Sequence, residues 1–234
     1  MSQPSISISQ RSAPYAGESI TSRQRICFDA PARRWPTLLD GMRRRWRRER
    51  RRRKVGRAYD MALEIARLVP ANSRVLDVGC GNGFVAHHLA AVAGASVTGI
   101  DLASTTDAAI DYRQFDGKHF PVADGSVDAA LLCYVLHHAQ DLDVVMNELR
   151  RVLRGGGLAV IYEDMPDSGW DRLVCLTHDL KWRKRTGRCT FRSARDWRSL
   201  FKSAGFEIVN ERPLSRWRNL AHLVSRRLFV LKQN

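Results

Sequence analysis

The chain has 234 residues, 44 % of them hydrophobic, and a formal net charge of +15 at neutral pH. That is enough for one globular domain with a full core and a tail. Its longest apolar run, Ala129 to Leu136, is far shorter than a helical membrane span, and the first thirty residues hold no secretory apolar region. Five scattered cysteines form no C-x-x-C pair, so free thiols in a reducing compartment, and hence a cytoplasmic chain, are expected.

The charge is unevenly placed. Residues 1–57 carry +12, residues 58–170 carry −8 and residues 171–234 carry +11. An acidic middle between basic flanks points to anionic partners. Residues 1–32 are polar with no sustained period and read as disordered, although their Arg- and Ser-rich composition also fits an organellar transit peptide. The run from Arg33 to Lys54 follows, and its like charges argue against a stable helix. Residues 1–55 are therefore expected to form a disordered basic arm. Trp35 and Trp46 are its candidate anchors on an anionic membrane surface or on RNA.

From Gly56 the pattern becomes that of a domain, 56–234. Ala58, Met61, Ala62, Ile65 and Val69 form a helical stripe ended by Pro70. Strands and helices then alternate: strand 74–78, helix 84–93, strand 96–100, strand 112–115, strand 128–133, helix 142–153 and strand 158–162. A helix with a Ser193 cap and a Gly205 stop comes next, and strands 206–210 and 227–231 close the chain. Alternation predicts an α/β fold, a parallel sheet with helices on both faces, and a ligand site beyond the carboxyl ends of the strands.

The stretch VLDVGCGNG, Val75 to Gly83, is where such a site belongs. Glycines at 79, 81 and 83 let the backbone turn and approach a ligand without a Cβ in the way. A dinucleotide loop reads G-x-G-x-x-G. Here Phe84 occupies the third glycine position, and its bulk disfavours a pyrophosphate. S-adenosylmethionine has no pyrophosphate to place. Acids end the successive strands. Asp101, 22 residues after Gly79, suits two ribose hydroxyls. Asp116 suits an adenine amino group, with a backbone N–H near Gly117 for the ring. Asp77 lies under the loop, where a methionine ammonium would sit.

With those residues in view, VLDVGCGNGFVAHHLA, VTGIDLA, FDGKHFPVADGSVDAALLCYVLHHAQD and ELRRVLRGGGLAVIYED resemble the successive motifs of class I S-adenosylmethionine-dependent methyltransferases. The similarity is greatest to the small-molecule branch that includes ubiquinone- and menaquinone-type enzymes, and it runs from about Gly56 to Asp164. The resemblance implies a Rossmann-like, doubly wound, seven-stranded, mostly parallel sheet with a C-terminal antiparallel hairpin. It implies that Gly79 and Gly81 lie along the methionine, Asp101 on the ribose and Asp116 on the adenine. It also implies that the carbonyl of Cys133 faces the ammonium.

Methyl transfer from a sulfonium needs orientation above all, and a base only where the acceptor must lose a proton. Tyr134, His137 and His138 follow the fourth strand; Tyr134 is a candidate substrate contact and either histidine is a candidate base. Glu163 and Asp164 end the fifth strand and are candidate substrate contacts. Residues 165–192 have no counterpart in the common core and read as a substrate lid, with Trp170, His178 and Trp182 facing an apolar or aromatic acceptor. No metal is expected, because the histidine pairs are adjacent rather than four apart and no carboxylate cluster accompanies them. The expected reaction is methyl transfer to an O or C atom of a small hydrophobic or aromatic molecule. An RNA methyltransferase and a non-catalytic cofactor-binding module are the alternatives, and the basic arm suggests a peripheral position at a membrane.

Overall fold

The structure, a computed structural model, describes residues 38–219 and 222–233. The readings of residues 1–32 as disordered and of Arg33 and Trp35 as anchors lie outside the described residues. Two units divide between Arg43 and Arg44, and the second holds the sheet and all that follows.

Helix α1 (Leu38–Ile65) precedes β1 (Arg74–Val78), α2 (Phe84–Ala93), β2 (Ser96–Asp101), β3 (Asp111–Gln114) and β4 (Val127–Cys133). A short 3₁₀ turn (Leu136–His138), α3 (Leu142–Val152), β5 (Leu153–Met165), α4 (Gly169–Thr186), α5 (Ala194–Ser203), β6 (Phe206–Leu214) and β7 (Ser225–Gln233) complete the order. The seven strands form one sheet in the order β3-β2-β1-β4-β5-β7-β6. Strands β1 to β5 pair in parallel, and β7 runs antiparallel to both β5 and β6. The expected sheet and C-terminal hairpin are present. The chain reverses its direction of winding between β1 and β4, so the crevice opens at their carboxyl ends.

The sheet is buried on both faces because successive residues alternate sides. Leu76, Leu132 and Ile161 pack with Leu149, Trp197 and Phe201 on one face. Val75, Leu131 and Val160 pack with Ile65 and Leu89 on the other. Local signals place the helices. Asp141 caps α3 through Val144 N, and Ser168 and Ser193 form capping boxes with Asp171 and Asp196.

Several boundaries differ from expectation. Strands β5, β6 and β7 extend beyond the predicted stretches, because β7 pairs along both neighbours over eight residues each. The insertion 165–192 is mostly the long helix α4. The basic run to Lys54, expected as a disordered arm, is helical from Leu38 onward. Arginine is a good helix former. Glu49 bridges Arg53 at 2.9 Å, Arg50 lies 4.5 Å over the Trp46 ring, and the last turns bury Ala58, Ala62 and Ile65. Core anchoring of one end outweighs the repulsion along the other.

Candidate functional site

A cavity of about 670 Å³ lies beyond the carboxyl ends of β1 and β4. The glycine loop forms one end. Gly79 (φ +67°) turns with no room for a side chain, since a Cβ there would meet Val135 Cγ2 at 2.6 Å. At Gly81 (φ +55°) a Cβ would meet nothing within 4 Å, and the open space belongs to the cavity. That bare cradle, with no Cβ between backbone and ligand, fits the methionine end of S-adenosylmethionine.

Asp77 and Cys133 line the cavity as expected. Burial, with the Asp101 charge second, pushes the Asp77 carboxyl up to about 7. Burial likewise holds the Cys133 thiol well above its ordinary range. Asp101 stands behind the loop, its Oδ2 accepting from Gly81 N at 2.8 Å and its Oδ1 from Ala103 N at 3.1 Å. Asp116 accepts from Lys118 N and His119 N, both at 2.8 Å, in the turn that Gly117 (φ +82°) shares. These bonds hold its carboxyl below the usual range. Asp101, Asp116 and Gly117 do not line the cavity. Asp101 braces the loop, and Asp116 shapes its own turn.

The other end is aromatic and histidine-rich. Tyr134, held at φ +63°, and Tyr162 line it with Trp182, His178 and His222. Helix α4 brings His178 and Trp182 together, their rings stacked 6.1 Å apart. Trp170, expected beside them, does not line the cavity. Its indole donates to Leu223 O at 2.8 Å and pins the start of α4.

His137 and His138 also lie outside the cavity lining. His137 is fully buried, with Nδ1 2.6 Å from Glu163 Oε2. Burial works against its protonation, but the Glu163 charge and hydrogen bond outweigh that and its pKa is raised. Glu163, expected at the substrate, is itself fully buried and accepts from Leu136 N at 2.7 Å. It orients His137 instead. His138 turns Nδ1 to Thr186 Oγ1 at 3.0 Å and Nε2 to His178 Nε2 at 3.2 Å. Burial and the neighbouring imidazoles push His138 down to about 3 and His178 down to about 4.

Where no metal was expected, the fold brings three histidines together. One ring nitrogen from each of His137, His138 and His178 lies within 4.8 Å of the others. Sequence spacing hid the group because His178 arrives from α4, forty residues after His138. Two further residues went unforeseen. His222 lines the cavity with Nε2 2.8 Å from Asp164 Oδ2, and Arg226 Nε sits 3.0 Å from Asp164 Oδ1. Burial alone would raise the Asp164 carboxyl, but His222 and Arg226 hold it below its ordinary value. Lys54 and Arg57 line the cavity from the C-terminal half of α1, with Lys54 bonded to Asn82 in the glycine loop.

Residues 46–211 match a family model described as a methyltransferase domain. The chain is 33% identical over 155 residues to 2-phytyl-1,4-naphtoquinone methyltransferase of Synechococcus elongatus, covering 58% of this chain and 61% of that one. It is 35% identical over 104 residues to ubiquinone biosynthesis O-methyltransferase of Xanthomonas axonopodis, covering 39% and 43%. These matches span about half the length of the relatives. A methyltransferase structure from Methanosarcina mazei superposes with a TM-score of 0.59 at 20% identity, covering 72% of this chain and 96% of that one, and shows the shared fold.

Proposed function

This chain belongs to the class I S-adenosylmethionine-dependent methyltransferases, and we propose that it methylates an O or C atom of a small hydrophobic or aromatic acceptor. One observation carries the reading: a single cavity joins the glycine cradle to an end walled by Tyr134, Trp182, His178 and His222. Relatives named for quinone substrates support the acceptor class.

The cofactor supplies a methyl group on a sulfonium, ready for in-line displacement. The chain's own residues do the rest. Asp77 would attract the ammonium, and the Gly79–Asn82 backbone would run along the methionine. Asp101 holds the loop from behind, through Gly81 N, and so would keep the cradle in shape for the cofactor. Tyr134 and Trp182 flank the acceptor and exclude water. His222, held by Asp164, takes the acceptor's proton. The base role expected of His137 or His138 passes in this proposal to His222, because neither of those rings lines the cavity.

RNA is the second reading, favoured by Lys54 and Arg57 at the cavity. Incubation with methyl-labelled cofactor and extract, with small-molecule, lipid and RNA fractions counted separately, tests both. Label in an organic-soluble small molecule supports the first. Label confined to RNA supports the second. Cofactor binding without label transfer in any fraction would leave a non-catalytic binding module.

A further inference from the structure

We propose that His137, His138 and His178 bind one divalent transition-metal cation of the zinc type, with a further coordination position for an oxygen of the acceptor. Only that last part rests on the acceptor reading above.

The geometry is close to what such an ion requires. With zinc–nitrogen bonds of about 2.0–2.1 Å, tetrahedral ligand atoms lie about 3.3–3.4 Å apart. The Nε2 atoms of His138 and His178 are already 3.2 Å apart. All three ligand atoms fall within 4.8 Å, so closing the set needs a shift of at most about 1.5 Å. The far nitrogens of two of the three rings are held as metal-bound histidines usually are. Nδ1 of His137 meets Glu163 and Nδ1 of His138 meets Thr186. Glu163 is in turn fixed by Leu136 N. That chain of bonds leaves Nε2 of both rings turned away from the carboxylate and hydroxyl.

The second observation is an orphan. Nε2 of His137 is buried without a hydrogen-bond partner among the described residues. Plain imidazole packing leaves that atom unsatisfied, at about 1–3 kcal/mol. A cation makes it a ligand. Three histidines leave a tetrahedral ion one position short, the pattern of sites that bind substrate or water. His178 is the ligand that also lines the cavity, which places that position on the acceptor side.

The test uses the full chain, stripped of metal and titrated with Zn²⁺ by equilibrium dialysis and with Co²⁺ by visible absorption. One equivalent per chain is expected, with a Co²⁺ spectrum of tetrahedral intensity. His178→Ala and His138→Ala should each weaken binding by about 100-fold or more, and Glu163→Gln by about 10-fold through His137 orientation. His119→Gln, a surface histidine outside the cluster, should bind as the native chain does. Cofactor affinity by calorimetry confirms that each variant is folded. Absence of stoichiometric binding by the native chain, or native-like binding by folded His178→Ala, overturns the proposal. Metal binding is read without turnover, so failure of methyl transfer would count against the acceptor reading alone.

Discussion

Asp77, the residue before the end of β1, has 2 % of its surface exposed, and burial pushes its carboxyl up to about 7. Between the ordinary value of 3.8 and about 7 the folded chain holds a proton that the unfolded chain releases. Its contribution to stability therefore falls as pH rises through that window and stays low above it. Asp77→Asn should raise stability at pH 8 and change it little at pH 4, as read by urea denaturation. The cofactor's ammonium favours the carboxylate, so affinity for S-adenosylmethionine should rise from pH 6 to pH 7.5. Methylthioadenosine, which lacks the amino-acid part, should show no rise; equal rises would remove Asp77 from the ammonium site. Asp101→Ala should weaken cofactor binding by roughly 1–3 kcal/mol in calorimetry, because the brace on Gly81 N is lost and the cradle loosens. His222→Ala should lower turnover on the true acceptor by about 10²-fold with cofactor affinity retained. A near-native rate would show that orientation alone carries the step.

Helix α1 joins two roles along one element. Its last turns are core, through Ala62 and Ile65, and Lys54 and Arg57 reach the cavity. The turns from Arg44 to Arg53 are exposed and almost uniformly positive, with Glu49 as the one acid. Such a helix releases counterions when it meets a polyanion, and each basic residue near an anionic bilayer contributes about 1 kcal/mol. Replacing Arg47, Arg48, Arg51 and Arg52 by Gln should sharply reduce cosedimentation with anionic vesicles at low salt. High salt should abolish the difference. Equal sedimentation of both chains would make the run a solvated surface. Glutamine keeps the helix propensity, so the readout separates charge from folding.

At the scale of the whole molecule, two apolar layers hold one sheet, and the site sits on that sheet's carboxyl edge. Phe201 is fully buried between Trp197, stacked at 5.6 Å, and Phe229, at 5.3 Å. Phe201→Ala should destabilise the chain by about 3–5 kcal/mol in denaturant unfolding. The cofactor binds the folded state, so at a hundred times its dissociation constant it should restore about 2.7 kcal/mol. An unfolding midpoint unmoved by cofactor would contradict the assignment of the cradle.

The elements legible in the sequence were those written in local chemistry. Alternating strands, the glycine loop, the acid ending β2 and the Ser193 cap each depend on neighbours a few residues away. Sequence alone determined the fold class and the glycine loop that forms one end of the cavity in this way. The like charges of the basic run argued correctly about repulsion, yet the core anchor at Ile65 decided that the segment is helical. Glu163 and Asp164 looked equivalent at the end of β5. Strand alternation sends their side chains to opposite faces, so Glu163 meets His137 and Asp164 meets His222. Only the packing of α4 over the sheet brought His178 to His138, because contacts between residues forty positions apart follow from how elements dock, and no local spacing encodes that.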